Sequence, residues 1–390
     1  MKRVVALLII AAMLLSAAAC KSRGNNDNNK DDPVTIVPTV TPEVKEPEET
    51  GKSVSVIIDQ KHDGITDSNG KEVVSIDYDT ASVFVDEEPI DYIGRALQEE
   101  ADLFLKFFYN INIDGISEMG SDAKYEADYK ISPRRVDEGL ACFVLTEYGY
   151  TMGVHGNTER LAVNYNIESQ CQVKLEELSG DYPSLEKLLH EYVLKLMSES
   201  KYHEEFYQGY EDSISSVVAD GTWYFSDDGI TFICNAYVIA PYATGIMEFT
   251  VPYEELSSYI DKKWLPKEHA YGAEESSSVS ITSDYETSGY DVIKLNIDSE
   301  GRTFAIATDK TIYDVTLSSV NYDSDYEEFI LNRIIYRRSR LSSKEMLEIT
   351  AYIPELIPNL QLTYRLMDGT TITSYVSESG EDGELLLSEI

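Results

Sequence analysis

Metal-assisted hydrolysis is the first chemistry the histidines suggest, and their spacing argues against it. His203-Glu204-Glu205-Phe206-Tyr207 opens like a zinc-protease HExxH helix, but Tyr207 stands where the second imidazole must be, and His190-Glu191 fails in the same way at Leu194. Two histidines one helical turn apart make that chelate; one does not. Asp227-Asp228-Gly229 has the paired acids that bind metal and act as base in carbohydrate deacetylases. That chemistry also needs an HxxxH pair, which His62, His155, His190, His203 and His269 do not contain. A hairpin turn between Tyr224 and Phe232 is the expected reading. Gly149-Tyr150-Thr151-Met152-Gly153 has the outline of a nucleophile elbow with threonine for serine, but an elbow leads into a helix and strand is expected here. Asn110, Asn112, Asp114 and Gly115 open like a calcium loop whose bidentate glutamate position holds Ser121. No CxxC or other zinc spacing is present. The expectation is a chain with no catalytic residues, no metal and no cofactor.

Two segments remain that could carry recognition. Gly153-Val154-His155-Gly156-Asn157-Thr158 reads as a connection between strands, and the stretch from Ala236 through Tyr237, Pro241, Tyr242 and Gly245 to Leu256 combines aromatics with turn residues. Pro241 sets its own φ and restricts Ala240, while Gly245 permits a turn that a side chain would obstruct. Tyr237 and Tyr242 offer flat, partly polar contact surface. Two readings compete: His155, Gly156, Asn157, Tyr237, Pro241, Tyr242 and Gly245 either touch a ligand or hold the fold, with Tyr237 buried and His155 hydrogen-bonded inside.

The elements that must position these residues follow from periodicity. Strands are expected at 53–59 and 72–85, then a helix from about Pro89 to Asn110 whose Ile93, Leu97, Ala101, Phe104 and Phe108 share one face. Strands follow near 124–131, 140–150 and 161–167. A helix is expected at 183–197 with Leu185, Leu188, Leu189, Tyr192 and Leu196 as its apolar stripe, and a more polar one at 202–218. Strands at 222–225, 230–235 and 246–251 complete an α+β domain, mainly antiparallel with packed helices, over 53–261. After a linker at 262–277 the period switches to two, as in Ile293, Leu295, Ile297 and in Leu360, Leu362, Tyr364, Leu366. Residues 278–390 are therefore expected to form a smaller all-β, sandwich-like domain. The segment 326–337 fits a helix or a long strand.

The order and spacing of Gly153–Thr158, Asn164-Tyr165-Asn166, Leu175–Leu178, a helix, Tyr237–Gly245 and Val251-Pro252-Tyr253-Glu254-Glu255-Leu256 resemble the RsiV/PdaC-type extracellular bacterial domain of unknown function. The resemblance covers about 53–261. Met152-Gly153-Val154-His155-Gly156 and Ala236 depart from the family's usual residues. The resemblance implies an α+β ligand-binding or sensing domain without catalytic residues of its own. The family occurs in lysozyme-sensing anti-sigma factors and in the non-catalytic N-terminal region of peptidoglycan deacetylases; lysozyme and peptidoglycan are the candidates it suggests.

Residues 1–19 read as a lipoprotein signal: Lys2 and Arg3, an apolar run, then Ala17-Ala18-Ala19 before Cys20, the expected lipidation site. Ala17 stands where leucine is usual, so an ordinary signal with an incidental cysteine is the alternative. Residues 20–52, with Pro33, Pro38, Pro42 and Pro47 and no sustained period, read as a disordered tether. Formal charge is 32 − 70 = −38, and −40 once Lys2 and Arg3 are removed. Such acidity disfavours nucleic acid and suits a cationic partner. Cys142, Cys171 and Cys234 leave at least one unpaired thiol, with three pairings open. The expected protein is non-catalytic, lipid-anchored on the extracytoplasmic face of a bacterial membrane, and binds or senses a cationic protein such as lysozyme, or cell-wall glycan. The alternatives are an envelope hydrolase with an unrecognised site, or a structural spacer.

Overall fold

A computed structural model of the chain describes residues 51–117, 120, 123–266, 278–355, 357–379 and 383–388. Cys20, the expected leader, the tether up to residue 50 and most of the expected linker lie outside the described residues. In the first half, β1 (Val54–Thr66) and β2 (Glu72–Val85) form a long hairpin, and a two-residue β3 (Glu88–Pro89) leads into α1 (Asp91–Tyr109). A short α2 (Ile113–Ser117) precedes β4 (Tyr125–Val136), β5 (Leu140–Tyr150) and β6 (Asn157–Asn166). β2 pairs with β4 in parallel, and the β1–β2, β4–β5 and β5–β6 pairs are antiparallel.

The alternation in β5 sends its side chains to two cores. Ala141, Phe143 and Leu145 face α1, whose Ile93, Leu97, Ala101, Leu105 and Phe108 are buried against the sheet. Leu140 and Cys142 face the opposite layer. That layer is α3 (Tyr182–Ser198) laid on the small antiparallel sheet of β7 (Trp223–Phe225), β8 (Gly229–Cys234) and β9 (Met247–Pro252). Asp181 caps α3, accepting from Ser184 N (3.4 Å) and Ser184 Oγ (2.7 Å), and Pro183 sits in the first turn. The polar helix expected at 202–218 is instead two 3₁₀ turns, His203–Glu205 and Tyr210–Ser213, and a four-residue helix, Ile214–Val217. Gly209, at φ +75°, breaks the run.

The second half contains β10 (Val279–Thr282), β11 (Asp291–Asn296), β12 (Arg302–Thr308), β13 (Ile312–Asp323) and β14 (Glu328–Leu341), then β15 (Glu345–Ala351), β16 (Leu360–Arg365), β17 (Thr371–Glu378) and β18 (Leu385–Ser388). The ambiguous segment at 326–337 is thus the end of a turn, at 326–327, followed by strand. A four-stranded sheet, β10-β12-β15-β11, faces β13, β14, β16, β17 and β18 across a core that includes Phe304, Ile306, Leu317, Tyr336, Leu347 and Leu362. This is the sandwich-like packing the period of two requires.

The expected boundary does not isolate this half. The large sheet runs β18-β17-β16-β13-β14-β1-β2-β4-β5-β6, with β3 on β2, so β1 is hydrogen-bonded to β14 from beyond the linker. Residues 53–390 form one compact unit. The physical reason is that Val54, Val56 and Ile58 are 0–1% exposed, and β1 needs a partner on each edge to satisfy its backbone. Among the described residues no helix is long and apolar enough to cross a membrane.

One buried acid gives the fold a pH dependence. Glu147 is 7% exposed, and burial first, then Glu159 and Glu100, raise its pKa from the ordinary 4.5 to about 7. The native state therefore binds this proton more tightly than the unfolded chain, so stability falls as pH rises through that window. Glu147→Gln should remove a penalty on the order of 2–3 kcal/mol at pH 8 and flatten the decline between pH 5 and 8. Urea melts of both proteins across that range check it; an unchanged slope would contradict the assignment.

Candidate functional site

The two segments singled out by their residue types meet at one place. β8 ends at Cys234, and Asn235 then turns back on β6: Arg160 N donates to Asn235 Oδ1 and Asn235 Nδ2 donates to Arg160 O, both at 2.8 Å. The amide side chain thus substitutes for a strand neighbour and pins the 236–245 connection beside the start of β6. The connection folds tightly. Tyr237 N donates to Ala240 O (3.0 Å), Pro241 precedes a 3₁₀ turn at Tyr242–Thr244, and Gly245, at φ +80° and ψ −166°, turns the chain into β9. Thr244 Oγ1 donates to Glu205 Oε2 (2.7 Å), fixing the turn from its other side.

Against this turn lies the β5–β6 connection. The His155 ring stacks on Tyr242 with centroids 4.0 Å apart and planes 16° from parallel, and Tyr237 tilts toward Tyr242 at 5.8 Å. His155 Nδ1 donates to Gly156 O (2.6 Å), and Asn157 Nδ2 donates to Glu159 Oε1 (3.3 Å). Gly156 is buried beneath Tyr148, where a Cβ would fall 2.2 Å from the ring. His155 and Asn157 are exposed, and Tyr237 is 54% exposed. The reading with Tyr237 buried and His155 hydrogen-bonded inside does not hold. These rings form an open shelf, while Gly156, Pro241 and Gly245 shape the backbone under it.

Tyr237 also has φ +68°, a left-handed conformation that a bulky L-residue adopts at a cost. The surrounding fold holds this strained aromatic outward. Carboxylates flank the shelf: Glu205 bonded to Thr244, Glu159 bonded to Asn157, and Glu248, which pairs with Arg160 (3.0 Å) and accepts from Tyr224 Oη (3.1 Å). Burial first, then Glu126 and Tyr242, push the Tyr148 hydroxyl pKa up. The shelf offers π-faces in a negative field, an arrangement that can hold a cation or a flat apolar group.

The other sequence candidates lie elsewhere and do structural work. His203 packs edge-on to Phe206 and Tyr210, with centroids 5.8 and 5.7 Å away. The Asp227-Asp228 turn joins β7 to β8, and Asp227 pairs with Arg337 at 2.9 Å. Cys142 and Cys234 are free and buried, so none of the three pairings among Cys142, Cys171 and Cys234 forms. Burial pushes the Cys234 thiol up to about 12, that of an inert core group. Among the described residues no set of three or more His, Cys, Asp or Glu side chains is placed to hold a metal ion. Asn235, Tyr148 and Glu248 belong to no motif in the sequence, and Glu205 belongs to one with a different chemistry; an amide straight after the strand run at 230–234 is the one signal that points to Asn235.

The shelf therefore belongs to a β-rich α+β protein, in the layer built from α3 and β7–β9. That layer carries the family match: residues 180–254 match the family described as "Protein of unknown function (DUF3298)". The matched segment includes Tyr237, Pro241, Tyr242 and Gly245, and His155 lies outside it. Among solved structures the chain is similar to a DUF3298-family member from Bacteroides fragilis, at 20% identity over 53% of this chain and 94% of that one, with a TM-score of 0.37. It is also similar to a DUF3298-family protein from Pseudomonas aeruginosa, at 16% identity over 55% and 96%, with a TM-score of 0.37. No curated protein matches the chain.

The two glycines under the shelf should respond differently to a methyl group. Gly156→Ala must displace the Tyr148 ring, an overpacking cost of about 1–3 kcal/mol. Gly245→Ala meets no atom within 4 Å and is opposed by torsion alone, at about 1–3 kcal/mol. In Gly156→Ala, the additional replacement Tyr148→Ala should restore much of the difference; in Gly245→Ala it should restore none. Equal rescue in both backgrounds would refute the distinction.

Proposed function

We propose that the protein is a non-catalytic, RsiV/PdaC-type binding or sensing protein, lipid-anchored through Cys20 on the outer side of a bacterial membrane. Its contact surface is the His155–Tyr242–Tyr237 shelf, and its partner is a cationic protein of the lysozyme kind. The observation that carries this reading is a strained, exposed Tyr237 beside a stacked His155–Tyr242 pair, flanked by Glu159 and Glu205. A protein rich in surface Lys and Arg presents cations to the ring faces. The chain's formal charge of −38 draws such a partner in from a distance, and salt screens that attraction.

The test is direct binding of lysozyme to the full chain by interferometry. Saturable association at micromolar concentration that weakens with added salt is expected. Tyr242→Ala should weaken it roughly tenfold or more if the shelf holds central contacts. Tyr237→Gly removes the ring and suits the left-handed backbone, so it should weaken binding while stability stays within about 1 kcal/mol of the parent. No association at micromolar lysozyme would end the lysozyme reading, and capture of purified cell wall by the parent but not by Tyr242→Ala would move the shelf to glycan.

A further inference from the structure

β13 and β14 run on beyond every strand that flanks them. β16 accompanies β13 as far as Ser319, opposite Leu360, and β1 accompanies β14 only where Ser55, Val56 and Ile57 lie opposite Arg338, Arg337 and Tyr336. Past those points β13 and β14 stay paired with each other, Tyr322 opposite Phe329 and Asp323 opposite Glu328. Among the described residues no strand lies along the outer edge of β14 at 328–335. Where β1 leaves β14, the Ile58 carbonyl accepts from Arg333 Nη2 (3.1 Å). The overhang is ordered by contacts of its own. Asp323 Oδ1 accepts from Asp325 N (2.9 Å) and Tyr326 N (3.3 Å) at the turn, and the Phe329 ring packs on Tyr322 and Tyr375 with centroids 5.2 and 4.4 Å away.

This ribbon is apolar where it is most open. Tyr326 is 77% exposed, Leu331 53% and Ile330 46%. Ile330 and Leu331 are consecutive in a strand, so they point to opposite faces and offer an added strand an apolar neighbour on each. An open edge presents unpaired N–H and C=O groups, and proteins usually guard such edges with lysine or proline. Residues 328–332 contain neither. Charge decides what suits the edge. Residues 321–332 carry Asp323, Asp325, Glu327 and Glu328 and no Lys, Arg or His. A second copy pairing edge to edge would bring two such sets together, and like charges across a strand pair are destabilising. Phosphate polymers and anionic lipid surfaces are repelled in the same way. An extended segment alternating cationic and apolar side chains meets no such repulsion, and its main chain bonds the edge directly.

We infer that the open edge of β14 is a docking site for an extended, lysine- or arginine-rich segment of another protein, added as a further strand. Its apolar side chains lie against Ile330 and Leu331, and its cations face Asp325, Glu327 and Glu328. The edge shares no residue with the aromatic shelf, so it stands or falls separately from the function proposed there.

The probe is a capped peptide of about ten residues alternating lysine and valine, titrated into the full chain and followed by NMR and amide hydrogen exchange. Saturable submillimolar binding that weakens with salt is expected, with new protection of the β14 amides at 329–333 and none at 237–242. Two comparators of the same length separate the causes. Alternating lysine and glycine keeps the charge without the strand propensity, and alternating glutamate and valine reverses the charge; each should bind at least roughly tenfold more weakly. Leu331→Lys sets a guarding cation on the edge and should weaken the lysine–valine peptide roughly tenfold. Glu327→Gln combined with Glu328→Gln, at two exposed positions, should weaken it roughly threefold or more with the melting temperature unchanged, and carries the test if Leu331→Lys disturbs the ribbon. Absence of saturation, protection confined to the shelf, equal binding of either comparator, or full affinity in folded variants would overturn the inference. Protection of the same amides that rises with protein concentration in the absence of peptide would also overturn it, assigning the edge to a second copy.

Discussion

The pairing of β1 with β14 is the constraint on which the rest of the structure depends. β1 lies in the interior of the large sheet, bonded to β2 along one edge and to β14 along the other, with Ser55 opposite Arg338, Val56 opposite Arg337 and Ile57 opposite Tyr336. Removing either neighbour would leave the backbone groups of a strand carrying Val54, Val56 and Ile58 without partners in an apolar setting. Val54 N is satisfied by the Ser339 hydroxyl (2.9 Å), which joins the start of the folded chain to a residue far along it. The two halves are thus one cooperative structure at this seam.

The arginines of β14 secure the seam electrostatically. Arg333 reaches Asp79 (3.5 Å) and the Ile58 carbonyl (3.1 Å), Arg337 reaches Asp227, and Arg338, only 1% exposed, bonds Glu87 and Glu345. Each of these cations meets acid from a different element, so a slip of one residue in β14 would strand several buried charges at once. Breaking one buried pair typically costs about 3–5 kcal/mol, more than making it contributes. In a chain of net charge −38, clustering cations on one strand sets register at least as much as it adds stability.

Much of this architecture was legible because it is local. The spacing of Ile93, Leu97, Ala101 and Phe108 marks α1, the stripe from Leu185 to Leu196 marks α3, and the alternation in 278–390 marks strands facing a second sheet. The β1–β14 pair was not legible, since both strands alternate correctly whichever strand lies beside them, and nothing in a period of two names a partner some 280 residues away. The helix expected at 202–218 fails for a related reason: apolar spacing is compatible with helix there, but Gly209 at φ +75° and the packing of His203 on Phe206 and Tyr210 favour separate turns. At the shelf, residue types pointed to Tyr237, Tyr242 and His155 individually, while the stack itself depends on Asn235 holding one loop against the other.

That dependence explains why a strained residue can persist on an open surface. Tyr237 at φ +68° lies between the two-way Asn235–Arg160 bonds and the Pro241 turn, so its backbone is set by neighbours whose own geometry is fixed. A tyrosine recruited only for packing would gain by turning inward, where its ring would remove apolar surface from water. Here the ring points outward beside Tyr242, and the fold bears the strain without recovering it through burial. The strain at Tyr237 is therefore carried by the Asn235–Arg160 bonds and the Pro241 turn, not by packing of its own ring.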